Sequence, residues 1–244
     1  MMPRNPAYVR AGGELEPTLL ARRSPVSSMR RADRLLAVGW LMAAMYDRVM
    51  RGSEEACLRA WRHELLRGAE GRVLEIGAGT GATLPSYTEA VTHLTATEPD
   101  PHMRSRLDAR RDGPFALDAV DATADALPFE DAVFDTVVSS LVLCSVRSLE
   151  GSLAEVRRVL VPGGRLLFLE HVAATDRPDR LKWQRRMEPA WRRLAGNCHL
   201  TRGTEQAIRD AGFELDEVKR ESIRKAMPLA RPSIRGVARV PHED

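Results

Sequence analysis

The sequence predicts an α/β fold, a doubly wound and mostly parallel sheet flanked by helices, and two observations carry that expectation. Seven short β-type segments, several rich in Val, Leu and Ala, are interspersed with stretches of helical periodicity. A glycine-rich turn, Gly77-Ala78-Gly79-Thr80-Gly81, follows the first of these segments. Strands joined through single helices run parallel, because a parallel pair needs a crossover on one face of the sheet. Such strands are buried on both faces and read as continuous apolar runs.

Along the chain, residues 1–33 hold Pro3, Pro6, Pro17, Pro25 and Gly12-Gly13 with no apolar periodicity, which reads as a loosely attached or disordered arm. The expected domain is 34–244. From Arg34 to Leu66 apolar residues recur at helical spacing, with a break expected at Gly52-Ser53. The first strand is Arg72–Ile76, followed by the glycine turn and a helix expected from Ala82 to Val91. His93–Thr97 reads as a second strand, Met103–Arg110 as a helix, Phe115–Val120 as a third strand and Phe134–Ser139 as a fourth. Leu149, Leu153, Val156 and Leu160 repeat as one helical face, which Pro162-Gly163-Gly164 stops. Arg165–Glu170 is the fifth strand. A helical insert at about 175–200, centred on Arg180–Leu194, precedes a helix over Thr204–Ala211. Two β segments, Phe213–Val218 and Ser233–Val240, end the chain with no helix between them, so one is expected to run antiparallel beside its neighbour.

The 244 residues are 43% hydrophobic and 29% charged, enough for one substantial core. The net charge of +3 is mild but uneven, with seven Lys/Arg against three acids in 176–193. Cys57, Cys144 and Cys198 lack the paired spacing of a disulfide framework or a zinc cluster, and a reducing cytoplasm is the expected location. The apolar run Leu35–Tyr46 is shorter than the ~20 residues a spanning helix needs. Arg30-Arg31 before it raises an export signal, which the late start and missing A-x-A site disfavour.

A glycine turn after a strand lets the backbone approach a ligand closely. Gly77-x-Gly79-x-x-Ala82 also meets the dinucleotide fingerprint, with Glu98 about 20 residues on for a ribose hydroxyl. Three features argue against a dinucleotide. A third glycine stands at 81. Glu75, inside the strand, would repel a pyrophosphate but attract an ammonium or a sulfonium. Thr123-Ala124-Asp125 leads into Leu127-Pro128-Phe129, with Phe134-Asp135 and Pro162-Gly163-Gly164 further on.

In these motifs, from about Tyr46 to Val240, the chain resembles the class I S-adenosylmethionine-dependent methyltransferases. The resemblance implies a seven-stranded sheet with the last strand antiparallel, and S-adenosylmethionine as cofactor. It implies that Glu75 and the loop Gly77, Ala78, Gly79 and Gly81 face the methionine part, and that Glu98, followed by Pro99, takes the ribose hydroxyls. Thr123 and Ala124 would meet the adenine. Thr123 stands where the family usually has an acid, which leaves Asp121, Asp125 or backbone groups for that contact. Ser140 and Leu141, at the end of the fourth strand, complete the implied cofactor set.

Reacting groups in open α/β sheets lie beyond the C-terminal strand ends. The strings there, from Leu141-Val142-Leu143-Cys144 through Glu170-His171-Val172 to Gly196-Asn197-Cys198-His199-Leu200-Thr201-Arg202, resemble the membrane-associated alkyl-thiol S-methyltransferases of the methyltransferase-like protein 7 group. That implies a small, fairly apolar acceptor, a thiol before a phenol, an amine or a lipid head group. His171 is the candidate catalytic base, since a strand-end imidazole titrates near neutral pH; the alternative is a histidine bonded to the backbone. His199 is the reserve. Cys144 and Cys198 read as packing residues, and no metal is expected, because in-line methyl transfer from a sulfonium needs none. In the insert, Trp183, Met187, Trp191 and Leu194 form a stripe flanked by Arg185, Arg186, Arg192 and Arg193; packing on the core is expected before a lid or a peripheral contact with anionic lipid. No aromatic-basic alternation points to nucleic acid. A non-catalytic S-adenosylmethionine-binding protein is the reading from another class.

Overall fold

The computed structural model describes residues 47–110 and 115–242. The arm over 1–33 and the run Leu35–Tyr46 lie outside the described residues. Seven strands, β1 (Gly71–Ile76), β2 (Val91–Thr97), β3 (Ala116–Val120), β4 (Phe134–Ser140), β5 (Leu160–His171), β6 (Glu214–Ser222) and β7 (Pro232–Arg239), form one sheet in the order β3-β2-β1-β4-β5-β7-β6. Strands β1 to β5 pair in parallel, and β7 runs antiparallel to both β5 and β6. The order reverses between β1 and β4, and the crevice at such a reversal is where open α/β sheets take ligands.

Neighbouring residues of the central strands feed opposite faces, as the two-residue period of a strand requires. Leu74, Ile76, Val137, Leu166 and Phe168 pack into one core with α3 (Leu149–Val159) and α5 (Thr204–Asp210). Val73, Val138, Leu167 and Leu169 pack into the other with α1 (Arg59–Leu66) and with Leu107 of α2 (Pro101–Asp108). Phe134 and Phe168 are the largest side chains with almost no exposure. Truncating either to Ala would cost about 3–5 kcal/mol.

The structure corrects three expectations. The helix does not break at Gly52-Ser53: it runs through 47–53, widens into a π-helical turn at Glu54–Leu58 and continues as α1. The widened turn keeps Ser53, Cys57, Leu58, Arg62, Leu65 and Leu66 buried on one side. The helix expected over Ala82–Val91 is replaced by a single 3-10 turn, Leu84–Ser86, with β2 starting at Val91. Pro85 restricts the residue before it, and Tyr87 turns extended to reach Glu75 with its hydroxyl. Thirdly, most of the stripe on α4 (Pro178–Leu194) faces outward, only Trp191 of the four being half-buried, with its indole Nε1 covered. Trp183, Met187 and Leu194 are 56%, 41% and 76% exposed, while Gln184 is fully buried. Gln184 takes the inward position because it satisfies three backbone groups: its Oε1 accepts from Ala174 N at 2.8 Å, and its Nε2 donates to Val172 O at 3.2 Å and Leu229 O at 2.9 Å.

Candidate functional site

At the end of β1 the chain turns through Gly77, Gly79 and Gly81 with φ of +58°, +58° and +80°. Ala78, buried between them, donates its N–H to Thr97 O at 2.9 Å, which ties the loop to β2. A Cβ at Gly77 would lie 2.7 Å from the Val142 side chain, so the turn is also pressed against the segment after β4. At Gly79 the same atom would meet nothing within 4 Å: this backbone faces open space and has the form of a cradle. With no regular helix after it, the loop has no helix dipole behind it, and its polarity toward a ligand comes from its own amides and nearby side chains.

Glu98 closes β2 with only 8% of its surface exposed. Its Oε2 accepts from Gly79 N at 2.8 Å and its Oε1 from Asp100 N at 2.9 Å. Burial pushes its carboxyl above the usual range, against the two amides, which favour the charged form. Pro99 beside it is exposed. Asp100 caps α2 through His102 N and Met103 N, which fixes the turn that carries Glu98.

Glu75 is not brought to the open side of the loop. It is 2% exposed and accepts from Thr83 Oγ1 at 2.6 Å and from Tyr87 OH at 2.9 Å. Burial pushes its carboxyl up to about 7, against the two hydroxyls. Two polar residues that the sequence reading passed over join it here. Arg62, 4% exposed, donates from Nε to Ser140 Oγ at 3.0 Å and pairs with Glu54. Asp47 accepts from Thr80 Oγ1 at 2.6 Å. The signal for Arg62 was available: it sits in phase with Leu58, Leu65 and Leu66 on an apolar helix face.

Across the crevice, Thr123 is half-buried and Ala124 buried, in a turn closed by Ala126 N donating to Thr123 O at 3.0 Å. Asp121 is paired with Arg104 at 3.0 Å and Asp125 with Arg147 at 3.4 Å. At the end of β4, Leu141 adopts φ +62° and donates its N–H to Leu169 O at 2.7 Å. A non-glycine residue in that region is strained and is held by its surroundings. The next segment is held by Glu170, which is fully buried. Its carboxylate accepts from Ser139 Oγ at 2.7 Å, Val142 N at 3.1 Å and Cys144 N at 3.3 Å.

His171 ends β5 and is 4% exposed. Its Nε2 lies 2.8 Å from Cys198 Sγ, and its Nδ1 is buried with no hydrogen-bond partner. Cys144 Sγ is 4.0 Å from Cys198 Sγ. Among the described residues, these three form the group whose donor atoms all lie within 4.8 Å of one another. The hydrogen bond from Cys144 and the imidazole of His171 hold the Cys198 thiol far below its ordinary range, while Cys144 is pushed up by its hydrogen bond to Cys198 and by burial. The expectation that Cys144 and Cys198 are packing residues does not include this grouping, because more than fifty residues lie between them and no spacing signals it. His199, the reserve base, points instead to Glu188 at 3.3 Å. The segment after α4 is docked on the β4 end by His199 N donating to Cys144 O at 2.8 Å, by Asn197 Nδ2 donating to Ser145 O at 2.9 Å, and by Arg202 donating to Leu143 O and Val146 O.

A sheet of this order with β7 alone reversed, and a glycine cradle at the strand-order reversal, define a Rossmann-like methyltransferase fold. A methyltransferase domain family matches residues 74–168. The chain belongs to the S-adenosylmethionine-dependent methyltransferases. It is 38% identical to human thiol S-methyltransferase TMT1B over 162 residues, 64% of this chain and 66% of that one. It is 36% identical to human thiol S-methyltransferase TMT1A over 170 residues, 68% and 69% of the two chains. The chain thus spans just under two thirds of the length of TMT1B. A ubiquinone/menaquinone biosynthesis C-methyltransferase, UbiE of Pseudomonas syringae pv. syringae, is 32% identical over 69% of this chain and 70% of its own. Two solved structures share the fold. A possible histamine N-methyltransferase from Thermotoga maritima aligns with TM-score 0.60 and 21% identity, over 86% of this chain and all of the other. The N-methyltransferase NodS of Bradyrhizobium japonicum, bound to S-adenosyl-L-homocysteine, aligns with TM-score 0.58 and 17% identity over 75% and 87%. Among the described residues no helix is long and apolar enough to cross a membrane.

Proposed function

We propose that this protein transfers the methyl group of S-adenosylmethionine to a small, fairly apolar thiol. The observation that carries the reading is the open cradle at Gly79, roofed by nothing within 4 Å and tied to the buried carboxylate of Glu98. The identity to thiol S-methyltransferases supports sulfur as the accepting atom. When bound, S-adenosylmethionine supplies a methyl group on a sulfonium. The residues that would hold it are the backbone of Gly77, Ala78, Gly79 and Gly81, Glu98 and Pro99 at the ribose, Thr123 and Ala124 at the adenine, and Ser140 and Leu141 beside them. Glu75 acts under the loop, where it fixes Thr83 and Tyr87 by accepting from both hydroxyls.

His171 stands at the C-terminal end of β5 and takes the acceptor's proton, with Cys198 on its Nε2 sharing the charge. A thiol needs modest help, because a few per cent is already thiolate at neutral pH and that form is strongly nucleophilic. The catalytic unit is residues 34–244, and the exposed stripe of α4 offers an apolar surface continuous in the chain with the segment docked over Cys144. Labelled S-adenosylmethionine incubated with a panel of thiols, phenols and amines tests the reading. Transfer to thiols is expected; transfer only to a phenol or amine would overturn the acceptor, and no binding of the cofactor would overturn the whole.

A further inference from the structure

The cluster Cys144–His171–Cys198 has a chemistry that methyl transfer does not require. We propose that Cys198 and Cys144 are a peroxide-reactive dithiol: Cys198 is oxidised first, and Cys144 then closes a disulfide with it. The geometry assigns the two roles. Cys198 is the less buried of the two residues and has His171 Nε2 at 2.8 Å, so it is the sulfur on the side nearer solvent and the one whose thiolate has a polar partner. Cys144, only 2% exposed, waits behind it at 4.0 Å. The backbones are tied side by side, since His199 N donates to Cys144 O at 2.8 Å. Bringing the sulfurs to bonding distance asks for a shift of about 2 Å, within reach of side-chain rotation. Gly196 and Asn197, with φ of +58° and +66°, turn the chain tightly just before Cys198 and keep it over Cys144.

The chemistry balances with hydrogen peroxide as the oxidant. The Cys198 thiolate attacks one oxygen, the O–O bond breaks, and the departing hydroxide takes a proton from solvent, leaving a sulfenic acid. The Cys144 sulfur then attacks that sulfur; an S–S bond forms and water leaves with the thiol's proton. A bound cation fits less well. Two ligands of one tetrahedral zinc, at about 2.0 and 2.3 Å from it, stand roughly 3.5 Å apart, and the His171–Cys198 separation is that of a hydrogen bond. Cys57 serves as an internal control, being 1% exposed, with its sulfur engaged by Ser53 O and Arg224 N.

The test uses the full chain, reduced and then exposed to about one equivalent of hydrogen peroxide. Intact mass should fall by two hydrogens, peptide mapping should join Cys144 to Cys198, and Cys57 should still alkylate. Cys144→Ala should trap a dimedone-labelled sulfenic acid on Cys198, and Cys198→Ala should leave Cys144 unoxidised. The wild-type peptide map decides even if a variant fails to fold. Equal reactivity of Cys57 and Cys198, or a joined pair other than 144–198, would overturn the proposal. So would zinc that copurifies with the chain and blocks peroxide until a chelator removes it. The readout is mass rather than turnover, so it stands or falls independently of the acceptor.

Discussion

Glu98 accepts the backbone N–H of Gly79 at 2.8 Å, so the acid at the end of β2 holds the cradle at the end of β1. The side chain proposed to bind the ribose thus also sets the shape of the loop that binds the rest of the cofactor.

Replacing Glu98 with Ala should therefore weaken cofactor binding twice over. Two backbone hydrogen bonds to a charged group are lost, each worth roughly 1.5–3 kcal/mol, along with the ribose contact. Calorimetric titration should give a dissociation constant raised at least tenfold, and Glu98→Gln should fall between the two. An unchanged constant would move the ribose contact elsewhere.

Gly79→Val should abolish cofactor binding at little cost in packing. The new side chain enters open space, and its strain at φ +58° is about 1–2 kcal/mol. Gly77→Val meets Val142 at 2.7 Å and should lower the melting temperature far more. A Gly79→Val protein that binds normally would place the ligand elsewhere.

Glu75 gives stability a pH signature. Its carboxyl is raised from 4.5 to about 7 in the folded protein, so the folded state holds the proton more tightly than the unfolded one. Its contribution is full below pH 4.5 and is lost as pH rises through 7, to the extent of roughly 3 kcal/mol. Denaturant unfolding at pH 5 and pH 8 should show that loss in the wild type and a smaller one in Glu75→Gln. Identical slopes would mean that Glu75 titrates normally.

His171→Ala should lower turnover while leaving cofactor affinity nearly intact. The deficit should shrink as pH rises, because a pre-ionised thiol acceptor needs no base. Initial rates from pH 6 to 9 decide this: a deficit independent of pH would make His171 a residue that shapes the pocket.

Gln184→Leu should destabilise the protein, because Ala174 N, Val172 O and Leu229 O lose their partner, at about 1–3 kcal/mol for each group left unsatisfied. Thermal unfolding measures it. A gain in stability would mean that water replaces the amide.

The sheet was legible because its strands are apolar on both faces and the glycine turn marks the strand-order reversal. Val137 and Val138 illustrate it, adjacent in sequence and buried in different cores. The segment 82–91 departs from the helix expected after the glycine turn because the hydroxyls of Thr83 and Tyr87 are drawn to a carboxylate below the loop. The stripe of α4 was misread for a related reason: the pattern ranks Trp and Met inward, but unsatisfied backbone groups decided in favour of Gln184. For the candidate site, residues on the loop and strand ends could be read from motifs. The pairing of His171 with Cys198 and Cys144 could not, since it joins segments 27 and 54 positions apart.

The grip of Glu170 on the amides of Val142 and Cys144 separates two kinds of sequence change. Main-chain N–H groups belong to every residue but proline, so the side chains over 142–144 can vary without loosening that grip. A deletion or insertion in the same stretch cannot be absorbed, because it would slide the amides past a fixed carboxylate. The segment after β4 is therefore fixed in its length by that carboxylate, and in its spelling only by packing, as at Leu143, which has no exposure, and at Val142 against Gly77.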